Sequence, residues 1–207
     1  MLTARRFRSL TSSRMVCTDE AVIEKARAGD AEAFRLLVDR HSRALFRMAF
    51  RMTGNTSDAE DVVQETFLKA YRQMGKFDER ASFGTWLYRI AVNCALDIVR
   101  ARTRRGEWTV CSNGAEGEQD SILTARSDEP LPDRLVLSGE VRRRLAAAME
   151  ELSGAERAAF VLRHFEGMCL EEIGRVLGCQ TGAAKHSVYR AVQKLRRALD
   201  PLVSSVK

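Results

Sequence analysis

The chain of 207 residues holds only 3 prolines, and its 13 glycines stand singly between long stretches of 3.6-residue apolar period. Alternating β-branched runs are scarce, so a sheet protein is excluded and an all-α fold is expected. The 5 cysteines (Cys17, Cys94, Cys111, Cys169, Cys179) are odd in number and form no C-x-x-C pair. That spacing excludes a disulfide framework and points to a reducing compartment, the cytoplasm. His164, Cys169, Cys179 and His186 match no zinc-finger spacing, so neither a metal nor another cofactor is expected. No run approaches 18 apolar residues, which excludes membrane insertion by a spanning helix. A phosphate loop, an HExxH helix and a Ser/His/Asp order are all missing, so no catalytic residue is assigned and the chain reads as a non-enzyme. The start, MLTARRFRSLTSSRM, lacks an apolar h-region. It reads as a basic disordered arm over residues 1–18, or as an over-extended start ahead of Met15, rather than as a secretory signal.

What is present is charge, unevenly placed. Lysine and arginine total 34 against 28 acids, a net charge of +6. A basic surplus fits an anionic partner, whether nucleic acid, an acidic protein or a membrane surface. Residues 56–66 (TSDAEDVVQET) carry four carboxylates and no base, whereas Arg89, Arg100, Arg102, Arg104 and Arg105 face a single acid, Asp97. Two working surfaces of opposite sign follow from that distribution.

Between Asp19 and Arg105 the apolar period predicts a helix over about 19–28 ending at Gly29, and a second from Ala31 to Thr53 stopped by Gly54-Asn55. Phe34, Leu37, Val38, Leu45, Phe46 and Ala49 form the inner face of that second helix. Ser57 and Glu60 have capping-box spacing for a third helix running to about Met74. A fourth begins near Phe83. Stepping 100° per residue along it groups Leu87, Ile90, Ala91, Cys94 and Ile98 on one arc and Trp86, Arg89, Asn93, Asp97 and Arg100 on the other. A tryptophan on that polar stripe reads either as the rim of a core or as a nucleic-acid contact.

Residues 106–132 lose the period and gather acids, glycines and prolines, which predicts a flexible acidic linker. Extended, its 27 residues span roughly 90 Å, enough for two DNA sites two helical turns, about 70 Å, apart. A second module spans 133–207. Leu137, Val141, Leu145 and Ala148 form a stripe, and Ser153 with Glu156 makes a capping box for ERAAFVLRHFEG. LEEIGRVLG then ends at Gly178, and a longer helix follows. Helix, glycine turn and helix at this spacing is a helix-turn-helix. In the last helix Ala184, Val188, Ala191, Leu195 and Leu199 face inward, leaving Lys185, His186, Tyr189, Arg190, Gln193, Arg196 and Arg197 outward for a major groove.

DAEDVVQETFLKAYR (58–72), FGTWLYRIAVN (83–93) and LEEIGRVLGCQTGAAKHSVYRAVQKLR (170–196) resemble, in order and separation, motifs of the bacterial extracytoplasmic-function (ECF) sigma factors. These are two-domain initiation subunits of RNA polymerase. The resemblance implies that residues 19–105 are region 2, binding core polymerase and recognising and melting the −10 element, and that 133–207 are region 4, a helix-turn-helix for the −35 element. It implies that Asp61, Gln64 and Glu65 dock on the β′ clamp and that region 4 meets the β flap. Trp86, Arg89, Asn93 and Arg100 would hold the single-stranded −10 region by stacking and phosphate tracking. Lys76, Phe77 and Asp78 would lie beside a flipped base. Lys185, His186, Tyr189, Arg190 and Gln193 would read the −35 duplex. The family commonly has a small residue and an arginine at His186 and Ser187, a threonine at Ala183, a serine at Cys169 and a proline at Gln180. An anti-sigma factor is a further partner such a family member would have. Asp58 and Glu60, in the first turn, are also accounted for by the helix dipole alone. Rival readings are an autonomous helix-turn-helix regulator, a Mg²⁺ nuclease built on Asp58, Asp61 and Glu65, and a protein-binding adaptor.

Overall fold

The computed structural model describes residues 16–77, 81–105 and 143–204, with side chains described for 20–77, 81–105 and 143–200. The arm before Val16, Asp78 and the whole of the expected linker 106–132 lie outside the described residues. Every regular element among those described is helical, in agreement with the all-α expectation. A first unit holds α1 (Val16–Arg27), α2 (Ala31–Thr53), α3 (Thr56–Gln73), a 3₁₀ turn (Met74–Lys76) and α4 (Phe83–Arg105). A second holds α5 (143–150), α6 (Gly154–His164), α7 (Leu170–Leu177) and α8 (Thr181–Ser204). Helix α1 begins at Val16, inside the stretch expected to be a disordered arm.

Local chemistry explains the helix ends. The Asp30 carboxylate accepts the Glu32 and Ala33 amides at 2.9 and 3.1 Å, satisfying two orphan donors at the start of α2. Gly54 closes it with φ 71°, donating its amide to the Phe50 carbonyl at 2.7 Å. The expected Ser57–Glu60 capping box at α3 does not form. Asn55 is the cap instead, in extended backbone just after the left-handed Gly54, and its side chain accepts the Asp58 amide at 3.0 Å. Asparagine directly after such a glycine reaches the first free amide before serine two residues on can do so. The second expected box does form. Ser153 Oγ accepts the Glu156 amide at 3.3 Å, and the Glu156 carboxylate accepts the Ser153 amide at 2.9 Å.

Helices α1 to α4 close around Leu37, Leu45, Met48, Met52, Val62, Leu87 and Val92, all buried. Each such side chain contributes about 1.5–3 kcal/mol of burial free energy. Phe34, Val38 and Phe46, expected on the inner face of α2, are only half-buried and border a groove. The core does not stop at the unit boundary: Ala158, Val161, Leu162, Ile173, Val176 and Ala184 continue it. Ala148, Leu152, Ala191 and Leu195 form a smaller cluster beneath α5 and α8.

The helix-turn-helix is tight. Gly178 sits at φ 66°, and Cys179 donates its amide to the Gly174 carbonyl at 2.9 Å. A Cβ at Gly174 would stand 2.8 Å from the Cys179 carbonyl oxygen, too close for a contact with backbone. Gly174→Ala must therefore push α7 off the turn, lowering unfolding free energy by about 1–3 kcal/mol in a denaturant titration; an unchanged midpoint would show that the turn yields freely.

Candidate nucleic-acid interface

Ser82 starts α4: its hydroxyl accepts the Thr85 amide at 3.2 Å and lies 2.9 Å from the Thr85 hydroxyl. The cap aims Phe83 inward, where its ring meets His41 edge-on at 5.4 Å and Phe77 at 5.6 Å. Trp86 leans on both Phe77 (5.2 Å) and Phe83 (5.6 Å) and is half-buried. One side of its indole completes the core while another edge lines an open cleft. Arg89, Asn93 and Arg100 follow along the same stripe, all exposed. Arg100 pairs with Asp97 at 3.5 Å in full solvent, a contact of little energetic weight.

Phe77, expected beside a flipped base, is only 4% exposed and supports Trp86 from beneath. Its burial follows from contact with Phe83, which a reading of the loop alone does not reveal. Lys76 is exposed at the end of the 3₁₀ turn.

On α3, Asp61, Gln64 and Glu65 are exposed. Glu65 pairs with Lys69 at 3.2 Å, and Lys69 also donates to Cys94 Sγ at 3.4 Å. Burial lowers the Lys69 pKa, but the Glu65 hydrogen bond and Cys94 outweigh it and hold the ammonium above its usual value. Asp58 is committed elsewhere: it accepts Arg102 of α4 at 2.6 Å. Beside these acids lies an apolar groove of about 820 Å³ between α2 and α3, lined by Phe34, Val38, Phe46, Val63, Phe67, Leu68 and Tyr71. Leu68 and Tyr71 are strongly exposed there. No group of three or more His, Cys, Asp or Glu among the described residues is placed to hold a metal. His164 packs on Phe160 at 4.7 Å, and burial with Arg163 beside it holds its imidazole below the usual pKa.

On α8, Lys185, His186, Tyr189 and Arg190 are exposed, with Tyr189 at 62%, while Gln193 is half-buried. Ser187 is buried, so an arginine there would not lie on the outer face as this helix is set. Sequence reasoning missed Lys194, which donates to the Glu156 carboxylate at 2.7 Å, and the pairing of Glu156 with α8, where its Oε1 lies 3.7 Å from Arg190 Nε. Burial pushes the Glu156 carboxyl pKa up, but hydrogen bonds from Lys194 and Ser153 outweigh it and hold it below the carboxylate range.

It also missed the seam between the units. Glu166, 9% exposed at its side chain, accepts the Tyr88 hydroxyl at 2.6 Å and Arg51 at 3.4 Å. Arg51 in turn covers the Phe165 ring, 4.3 Å from its centroid. Burial beside Glu166 drives the Tyr88 phenol pKa up, and burial lowers that of Arg51. Arg157 donates to the Met52 carbonyl at 2.9 Å and to the Met149 carbonyl at 2.6 Å. Next to this seam, a cleft of about 740 Å³ has Ala81, Thr85, Trp86 and Arg89 on one wall and Glu171, Arg175 and the turn Gly178–Thr181 on the other.

Residues 37–105 match the family described as Sigma-70 region 2, and residues 142–195 match Sigma-70, region 4. The RNA polymerase sigma-H factor of Pseudomonas aeruginosa is 35% identical over 187 residues, covering 89% of this chain and 95% of that protein. The ECF RNA polymerase sigma-E factor of Haemophilus influenzae is 33% identical over 90% of this chain and 97% of its own length. The chain is an ECF sigma factor. It is accordingly a transcription initiation factor that directs RNA polymerase to promoters, and its two helical units are sigma regions 2 and 4. The structure of CnrH in complex with the cytosolic domain of CnrY is similar to this sigma factor, with a TM-score of 0.62 at 28% identity over 88% of this chain and 97% of that one. No helix among the described residues is long and apolar enough to cross a membrane.

Glu166→Gln keeps an acceptor for Tyr88 but leaves Arg51 without its buried anion. The substitution should lower unfolding free energy by about 1.5–3 kcal/mol and raise the radius of gyration in small-angle scattering; an unaltered radius would mean that apolar contact alone holds the seam.

Proposed function

We propose that this sigma factor grips core polymerase with Asp61, Gln64 and Glu65 and reads promoters at two separate sites. Lys76, Trp86, Arg89, Asn93 and Arg100 engage the −10 strand, and Lys185, His186, Tyr189, Arg190 and Gln193 engage the −35 duplex. The observation that carries this reading is the division of region 2 into two surfaces. One face joins exposed carboxylates to an uncovered apolar groove, the chemistry of a protein interface. The opposite chemistry, a tryptophan held in place by two buried phenylalanines and followed by exposed arginines, is what unstacked bases and phosphates require.

Melting then draws on binding alone. Capturing a base must offset a few kcal/mol of unstacking, and each base–aromatic stack returns about 1–3 kcal/mol. In this reading the protein acts as a non-enzymatic specificity subunit in the bacterial cytoplasm. Promoter elements two helical turns apart lie roughly 70 Å from each other. Trp86 and Arg89 here face the helix-turn-helix across the cleft, so engaging both elements requires the Glu166 seam to open. The β′ clamp and β flap are the polymerase sites that would hold the units apart. An anti-sigma partner would hold them together; CnrH, which this chain resembles, is found in complex with the cytosolic domain of CnrY.

Two outcomes test the assignment. Asp61→Ala combined with Glu65→Ala should weaken binding to core polymerase by more than about tenfold with an unchanged circular dichroism spectrum; retained affinity would move the docking surface elsewhere. Arg190→Ala should cost about 1–3 kcal/mol of discrimination at one −35 position. A uniform loss that follows salt would make Arg190 a phosphate contact instead.

A further inference from the structure

Glu156 has a dual position in region 4. It is the third residue of α6, where its carboxylate receives the Ser153 amide at 2.9 Å. A glutamine serves that capping role equally well. Yet the side chain is a charged group only 7% exposed, and burying a carboxylate is costly unless cations answer it. Both cations come from the recognition helix, four residues apart on one face: Lys194 Nζ at 2.7 Å on Oε2 and Arg190 Nε at 3.7 Å from Oε1. Lys194 also donates to the Glu151 carbonyl at 3.4 Å, so it ties α8 to the loop before α6 as well.

The geometry points to Glu156 as a positioning residue for −35 recognition, acting through Arg190; this rests on Arg190 reading the −35 element. The carboxylate is immobile because the cap holds it on a helix end. It meets Arg190 at Nε, near the root of the guanidinium, while the Arg190 side chain stays 65% exposed. The end of the side chain is thereby offered to the groove from a restrained root. An arginine ordered before it meets a base loses less rotamer freedom on binding than a free one. Specificity at one base pair then depends on a residue of α6 that faces α8 and not the DNA.

The test uses holoenzyme reconstituted from core polymerase, on a promoter mapped by run-off transcription, with each −35 base pair substituted in turn. Glu156→Gln preserves the cap and removes the charge. It should reduce discrimination five- to tenfold at the position read by Arg190, leave other positions within twofold, and add nothing in an Arg190→Ala background. Ser153→Ala removes the hydroxyl that accepts the Glu156 amide but keeps the Ser153 amide that holds the carboxylate, so it should lower the melting temperature with discrimination intact. A Glu156→Gln loss that is equal at all positions, or that adds to Arg190→Ala, would reduce Glu156 to a stabilising residue and overturn the proposal. If Arg190→Ala itself leaves every position unchanged, the reading of Arg190 falls and the proposal falls with it. Arg190→Ala losing discrimination while Glu156→Gln keeps it would sink the proposal alone.

Discussion

A carboxylate buried at the seam between two helical units has to be answered by donors from the other unit, and Glu166 meets that demand with Tyr88 from α4 and Arg51 from α2. The same logic runs in reverse at the end of α2, where carbonyls left over by the helix are met by cations from both units. Arg157 takes the Met52 carbonyl, and Arg102 approaches that of Thr53 at 3.5 Å. Cations at a helix C-terminus also meet the negative end of its dipole. Such buried polar contacts add little net stability over an apolar seam, because desolvation offsets most of the attraction. What they supply is register: apolar surfaces slide, whereas Glu166 accepts its donors in one arrangement only. The closed state of this sigma factor is thus specified by polar geometry while its cohesion comes from the shared apolar core.

Region 2 uses aromatic packing for a different purpose. His41, Phe77 and Phe83 form a buried floor, and Trp86 stands on it at the edge of the cleft. A ring that must stack on a base has to be held at a fixed tilt, since freedom lost on binding subtracts from affinity. Phe77 supports the proposed stacking ring from beneath, itself buried.

Much of this was legible in the sequence where the determinants are local. Asp30, Gly54, Ser153 and Gly178 mark helix ends through contacts within a few residues, and the apolar arc of α4 identified Leu87, Ala91 and Cys94 as core. The Ser57 box failed for a local reason too, because the left-handed Gly54 placed Asn55 in the capping position. The burial of Phe77 was not legible, because it depends on Phe83 and Trp86, beyond a loop. The seam was illegible in principle: the partners of Glu166 are 78 and 115 residues away along the chain, and no spacing rule connects them. Glu156 was half legible. Its cap follows from a four-residue pattern, but its cations stand on a helix whose docking angle only the folded core determines.

The contact between Asp58 and Arg102 has a mechanical consequence. At 2.6 Å it bolts the first turn of α3 to the last turn of α4, while the other end of α4 carries Trp86. The helix bearing the acidic face and the helix bearing the tryptophan therefore turn as one bracket. Helix α4 has 23 residues and is about 35 Å long, so a tilt of about 5° at one end displaces the other by about 3 Å. That is close to the ~3.4 Å spacing of successive bases. On the roles proposed for these two helices, angular precision at the polymerase-gripping face becomes single-nucleotide precision at the strand.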